Sequence, residues 1–238
     1  MKKIMFNDEC GLTQAVLEGR KTMTRRGCKY DRPNETYDIV FPVFEPNDYD
    51  NNGNITSPLN YAFGWKNNEG DFTGWNIPQY KVGEVVAIAQ SYKSINEFYE
   101  IAYKRHNSFH GQIVTNYDIP FKEIVKWFEL RESLKYTAGW TNKMFVKADL
   151  MISHIRITNV KIERLQDISD EDCLKEGVYK GQCGSADTHF MDVYYYKGDI
   201  QPYCTPRGAF AALIDKVSGK ETWKSNSYVF VYEFELVD

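Results

Sequence analysis

Glycine and proline are scarce in this chain of 238 residues, at 16 and 8 respectively, which excludes a collagen-like or linker-like polymer. No apolar run approaches the roughly 20 residues that cross a bilayer, so no membrane span is expected. After Met1-Lys2-Lys3-Ile4-Met5-Phe6 the chain turns acidic at Asp8-Glu9 instead of entering an apolar secretory core, and it reads as cytoplasmic. The five cysteines (Cys10, Cys28, Cys173, Cys183 and Cys204) are odd in number, scattered and free of CxxC spacing. That pattern argues against a disulfide framework or a zinc knuckle, and reduced thiols are expected. An excess of positive charge is also missing: 29 Lys plus Arg stand against 33 Asp plus Glu, a formal net charge of -4. This argues against a nonspecific coat on nucleic acid, where binding is driven by phosphate neutralisation and counterion release.

What the chain does have is apolar bulk. Hydrophobic residues make up 42%, with 14 Phe, 17 Tyr and 5 Trp, far from the composition that keeps chains disordered. Domains commonly hold roughly 100 to 150 residues, so the length suits one decorated domain or two small ones. The near-neutral charge conceals an asymmetry. From Gly19 to Arg32 there are six basic residues (Arg20, Lys21, Arg25, Arg26, Lys29, Arg32) against Asp31, a local net of +5. From Glu163 to Glu176 six acids (Glu163, Asp167, Asp170, Glu171, Asp172, Glu176) face two bases, a net of -4. The pattern is that of one small basic site within an acidic protein.

Along the chain, Asn7 is a candidate N-cap, Leu12 and Val16 repeat at helical spacing, and Gly19 stands where a helix terminator belongs. Arg20 to Arg26 alternates like a strand or ordered loop. Turn signals occur at Asn51-Asn52-Gly53-Asn54 and Asn67-Asn68-Glu69-Gly70, the second between Tyr61-to-Trp65 and Phe72-to-Trp75, which reads as a hairpin. Val85-Val86-Ala87-Ile88-Ala89 reads as a buried strand, and Asn96 to Leu134 mixes signals. Ile152 to Ile162 reads as a strand whose apolar phase slips near Asn159, suggesting a bulge. Ser169 then caps a short helix that Gly177 ends, Val178 to Pro206 reads as a polar and aromatic loop, and Gly208 to Val217 reads as a helix. Tyr228 to Val237 alternates strictly as a closing strand. No internal repeat or linker divides the chain, and the expectation is one α+β or small-barrel domain with a large insertion.

The sharpest feature is Gly19-Arg20-Lys21-Thr22-Met23-Thr24-Arg25-Arg26, four cations and two hydroxyls just past a helix end. Such a segment can form an anion or nucleotide site, or a solvated strand edge protected by its charges. Lys21 and Thr24, three apart, share a side of a helix but fall on opposite faces of a regular strand. A lysine near other cations and withdrawn from water can serve as a base, and a neighbouring threonine hydroxyl as a nucleophile. Cys183, Asp187, His189 and Asp192 have mixed spacings that do not make a metal site, and His106 and His110 lack the glutamate of a zincin motif. No cofactor and no obligatory metal are expected. Trp65, Trp75, Trp140 and Trp223 read as core, with one or two near the cleft able to stack on a base.

Three blocks resemble the ASCH domain family in its bacterial and phage-type members: Val16 to Arg26, Ile155 to Val178 with its Glu-Arg-Leu-Gln-Asp-Ile-Ser run, and Trp223 to Leu236. They come in the family's order and cover roughly a third of the chain. The resemblance implies a PUA-like small β-barrel with flanking short helices, here as a single domain over 1–238 carrying an insertion at about Tyr30 to Trp140. It implies RNA or a modified nucleotide as partner, held in a basic cleft around Gly19 to Arg26 by Arg20, Thr22, Arg25 and Arg26. One small ASCH group shares Gly-Arg-Lys-Thr-x-Thr and hydrolyses the N4-acetyl amide of acetylcytidine. By that likeness Lys21 would be the base, Thr24 the nucleophile and Glu176 the proton shuttle, with Arg25 or Arg26 on a phosphate or developing oxyanion. Where many phage-type relatives carry an Arg-Glu-Thr-Trp-like run, this chain has Ala89-Gln90-Ser91-Tyr92. A binding module, an amidohydrolase and a factor acting through protein contacts all remain open on sequence alone.

Overall fold

A computed structural model describes residues 1–42, 61–108, 119–184 and 189–237. The turn expected at Asn51-to-Asn54, and with it His110 and Asp187, lies outside the described residues. In chain order the elements are β1 (Lys3–Ile4), α1 (Leu12–Leu17), β2 (Met23–Gly27), β3 (Tyr37–Val40), β4 (Gly64–Asn67), β5 (Val85–Ile88), α2 (Tyr92–Ser108) and α3 (Phe121–Leu134). After three short 3-10 turns come β6 (His154–Arg164), α4 (Asp170–Lys175), β7 (Tyr179–Cys183), β8 (Met191–Tyr195), α5 (Pro206–Ser218), α6 (Thr222–Ser225) and β9 (Tyr228–Leu236). The architecture is α+β. Among the described residues no sheet closes into a barrel, and no helix is long and apolar enough to cross a membrane.

The chain divides into two compact units, one of Met1–Phe6, Val85–Ile155 and Val237–Asp238, the other of Asn7–Glu84 and Arg156–Leu236. The segment from Tyr30 to Trp140 contributes to both. In the first unit β1 runs parallel to β5, with Lys3 opposite Ala87 and Ile4 opposite Ile88, while the Ile88 N–H donates to Ser153 O ahead of β6. Ala87, Tyr92, Ile95, Trp127, Val146 and Met151 form its core, and Tyr99 stacks on Trp127 at 5.1 Å. The Lys3 ammonium donates to three carbonyls, Met144 at 2.6 Å, Val146 at 2.9 Å and Lys143 at 3.3 Å, tying the first strand to the turns that follow α3.

The second unit is built on β6, β9 and β2, in that order, with β2 and β9 antiparallel. Residues 229 to 232 of β9 are buried on both faces, as a central strand requires. The β6 burial pattern turns inward at Ile155 and Ile157 and next at Val160, the phase change expected near Asn159. Two local hairpins complete the unit. In one, β3 pairs with β4, whose Lys66 also bridges to Phe72 across the Gly70 turn. The other, β7 with β8, occupies part of the segment read from sequence as a loop.

Two helices end on glycines for the same local reason. After α1, Gly19 adopts φ +71, its N–H donates to Val16 O, and the Arg20 N–H donates to Ala15 O. After α4, Gly177 adopts φ +106 with the corresponding bonds to Leu174 O and Cys173 O. Both are left-handed terminators that satisfy the last helical carbonyls. Ser169 caps α4 by accepting from the Asp172 N–H at 3.1 Å, and Thr205 caps α5 from the Gly208 N–H at 3.1 Å. Asn7, expected to cap α1, instead accepts from the Cys10 N–H and the Leu12 N–H in a preceding turn, and the helix begins after Gly11.

Candidate functional site

The Gly19 terminator releases the chain directly into Arg20 and Lys21, and the next residues enter β2. Thr22 is clamped through its backbone, its N–H to Lys175 O at 3.0 Å and its carbonyl accepting from Phe234 N at 2.9 Å. That places Lys21 over the end of α4. Its side chain is 2% exposed, and its ammonium donates to Met23 O at 2.7 Å, Glu176 O at 2.8 Å and Glu176 Oε2 at 2.5 Å. Lys21 and Glu176, 155 residues apart in sequence, therefore form one buried ion pair.

Arg25 extends the pair into a network. Its Nη1 reaches Glu176 Oε1 at 3.0 Å and Met23 Sδ at 3.3 Å, its Nε reaches Glu163 Oε1 at 3.1 Å, and its Nη2 pairs with Glu163 and, at 3.4 Å, with Asp172. The guanidinium carbon lies 5.8 Å from the Phe210 ring of α5. Lys161 joins Glu163 at 3.0 Å and Asp172 at 3.3 Å. The core of the network is thus three cations, Lys21, Arg25 and Lys161, against three carboxylates, Glu163, Asp172 and Glu176. The complementarity of the basic and acidic segments is realised here.

Burial pulls the Lys21 ammonium below its ordinary pKa, against the opposing pull of Glu176. Burial also works against the Arg25 charge, but Glu176 and Glu163 outweigh it and raise its pKa. For Asp172 burial pushes upward, and Lys161 and Arg25 more than offset it, leaving the carboxyl below its usual range. Cys173, fully buried beneath the network, has its thiol pushed up to about 12 by burial and is no nucleophile.

The other expected site residues lie elsewhere. Thr24 is opposite Tyr232 in the β2–β9 register. Because side chains alternate along a strand and cross-strand partners share a face, Thr24 faces away from Arg25 and its carboxylates, on the side of the Tyr80–Tyr232 ring pair. Half-buried Arg26 shares that face, close enough to Tyr80 to oppose the upward push of burial on its phenol. Arg20 is exposed and paired with Glu18 at 2.5 Å. The structure brings Lys21, Arg25 and Glu176 together, sets Arg26 near enough for its charge to help lower the Lys21 pKa, and leaves Arg20 and Thr24 outside the cluster.

A second constellation was not legible in the sequence. Just past β2, where β6 ends and β9 begins, a cleft of about 110 Å³ is lined by Tyr30, Arg32, Trp65, Arg164 and Tyr228, with Asp31 and Asn226 among the polar groups. Every one of its aromatic rings has a cation over it: Lys29 Nζ lies 4.7 Å from the Tyr30 ring, Arg32 5.9 Å from Trp65, and Arg164 4.8 Å from Tyr228. Trp65 is buried, as its reading as a core residue anticipates, and is held by its indole N–H, which donates to Tyr30 O at 3.1 Å, and by edge contact with Tyr228 at 5.0 Å. Arg32 is anchored to Tyr37 O at 2.6 Å and Glu35 O at 3.0 Å, whereas Arg164 has no acidic partner among the described residues. The only sequence signals were Arg32 in the basic segment and Trp65 among the candidate stacking residues. Among the described residues no group of three or more His, Cys, Asp or Glu is placed to hold a metal ion. Set against models of protein families, curated proteins and solved structures, the chain finds no match in any of the three.

Proposed function

We propose that the chain is an RNA- or modified-nucleotide-binding protein of the ASCH type, and that its ligand enters the cleft beside Tyr30 and Tyr228. The observation that carries this reading is a cleft of about 110 Å³ that brings the half-buried rings of Tyr30 and Tyr228 together with two guanidinium groups, with Arg164 left without an acidic partner among the described residues. Aromatic faces stack on bases whatever their identity, and guanidinium groups recognise phosphate. The buried cluster does not serve as the basic cleft, since Lys21 and Arg25 already meet acceptors of the protein itself. The three blocks that resemble the family lie on or beside β2, β6 and β9, which are neighbours in one sheet.

The test is fluorescence anisotropy with a short single-stranded RNA. Arg164→Ala, at a half-buried residue with no ion pair among the described residues, should weaken binding by roughly 5-fold or more and reduce its salt dependence by about one phosphate contact. Equal affinity and equal salt dependence in the variant would sink the reading.

A second reading has one observation in its favour, the 2.5 Å contact between Lys21 and Glu176. As an amidohydrolase, Lys21 would take the Thr24 proton, Thr24 would attack the acyl carbon of an N4-acetylcytidine, Glu176 would pass that proton to the leaving amine of cytidine, and water would then release acetate from the acyl-threonine. Binding is the preferred reading because both charged members are buried in mutual contact and Thr24 faces the other way. Cytidine released from N4-acetylcytidine by the wild type, and not by Lys21→Ala, would reverse that preference.

A further inference from the structure

We propose that the cleft selects guanine, a deepening that rests on the binding reading above. Two polar groups at the cleft carry it. Asp31 lines the cleft and has no hydrogen bond or ion pair among the described residues, although Arg32 and Arg164 line the same space. Asn226 is held in a left-handed conformation, φ +45, rare for a residue other than glycine. Its side-chain oxygen is committed, accepting from the Gln166 N–H at 2.9 Å, so the orientation of the amide is set by that bond and its NH₂ group is left to donate.

The cleft therefore offers an amide donor and an acceptor-only carboxylate beside the rings of Tyr30 and Tyr228. The Watson–Crick edge of guanine presents the reciprocal set: O6 accepts, while N1–H and N2–H₂ donate side by side. A carboxylate takes both of those donors at once, and the Asn226 amide meets O6. Uracil offers an acceptor and one donor, but its second carbonyl would face the carboxylate. Adenine and cytosine present a ring nitrogen lone pair where a donor is needed. A ring-nitrogen lone pair against the carboxylate forfeits both bonds and sets two acceptors against each other. The phosphate of the nucleotide would lie on Arg164.

The experiment is isothermal titration calorimetry of the intact protein with GMP, AMP, CMP, UMP and IMP. GMP should bind at least about tenfold more tightly than AMP or CMP, the discrimination expected of one bidentate contact, and IMP, lacking the N2 amino group, should fall between. Asp31→Asn, at an exposed position, should bring GMP to within about threefold of AMP, and Asn226→Asp, which keeps the acceptor for Gln166, should also weaken GMP. Circular dichroism establishes that both variants are folded. Wild-type affinities within threefold of one another, or a preference for GMP that survives Asp31→Asn, would overturn the guanine assignment and leave nucleotide binding standing. No heat with any nucleotide, together with RNA binding unaffected by Arg164→Ala, would overturn both.

Discussion

Replacing Lys21 by methionine tests whether the Lys21–Glu176 contact is a closed pair in the protein interior. The substitution keeps most of the side-chain volume and removes the ammonium. Glu176 Oε2 then loses its 2.5 Å partner, the carbonyls of Met23 and Glu176 lose a donor, and the balance of three cations against three carboxylates becomes two against three. Breaking a buried pair from one side costs about 3 to 5 kcal/mol, because the remaining charge stays desolvated. For a chain of this length that is a fall in midpoint temperature of roughly 6 to 20 °C. Glu176→Met should cost a similar amount, since the Lys21 ammonium loses its carboxylate. In the double variant Lys21→Met/Glu176→Met no charge is stranded, since Arg25 keeps Glu163 and Asp172. Its cost should be only about 1 to 2 kcal/mol, from the two carbonyls left without a donor. Urea unfolding followed by circular dichroism at neutral pH gives the three values, and the coupling between the sites should exceed about 3 kcal/mol. Costs that add across the two sites, or a Lys21→Met variant within 1 kcal/mol of wild type, would refute the closed pair.

Two glycines predict a ranking. A β-carbon at Gly177 would meet Leu12 Cδ2 at 2.9 Å as well as holding φ +106, whereas at Gly19, φ +71, it would meet nothing within 4 Å. Gly177→Ala should therefore cost about 1 to 3 kcal/mol and Gly19→Ala nearer 1 kcal/mol, and thermal melts that reverse the order would contradict the packing at the end of α4. Asp172 sets an acid limit. Its folded pKa lies below the 3.8 of the free group, so below about pH 4 the unfolded chain binds more protons and stability falls as pH falls. Asp172→Asn should flatten that slope between pH 4 and pH 2, and a slope unchanged in the variant would remove Asp172 from the network.

How much of this was legible depends on how local the cause is. The glycine terminators and the Ser169 cap were readable because a left-handed residue or a side-chain oxygen acts within four residues of itself. The alternation of β9 was readable because its inward residues repeat at every second position. α2 and α3 were not. Their buried positions are filled by Tyr92, Ile95, Tyr99 and Trp127, residues as common in strands, and the stacking of Tyr99 on Trp127 that favours the helices joins residues 28 apart. In the site, the meeting of Arg25 with Glu163, Asp172 and Glu176 had a signal in the opposite charge of two segments. Lys21 and Glu176 shared that charge signal, and their pairing in particular came through a family likeness. The face taken by Thr24 depends on the β2–β9 register, which no run of residues displays.

The buried network and the cleft are two sides of the same strands. On β6, Glu163 turns toward Arg25 while the next residue, Arg164, turns onto Tyr228, as alternation requires. On β2, Arg25 is fixed inside, and five and seven residues later Tyr30 and Arg32 reach the cleft. The network therefore acts as the fastening that fixes where the cleft groups stand. A Lys21 variant that loses RNA binding would not show that Lys21 touches RNA, because loosening the fastening moves Arg164. The separating measurement is the ratio of effects. Arg164→Ala should weaken binding at nearly constant midpoint temperature, and Lys21→Met should weaken binding only as far as it lowers that temperature. The Lys21→Met/Glu176→Met variant should recover both together. If it regained stability without regaining binding, the buried pair would belong to the ligand site itself, and the division between fastening and cleft would be wrong.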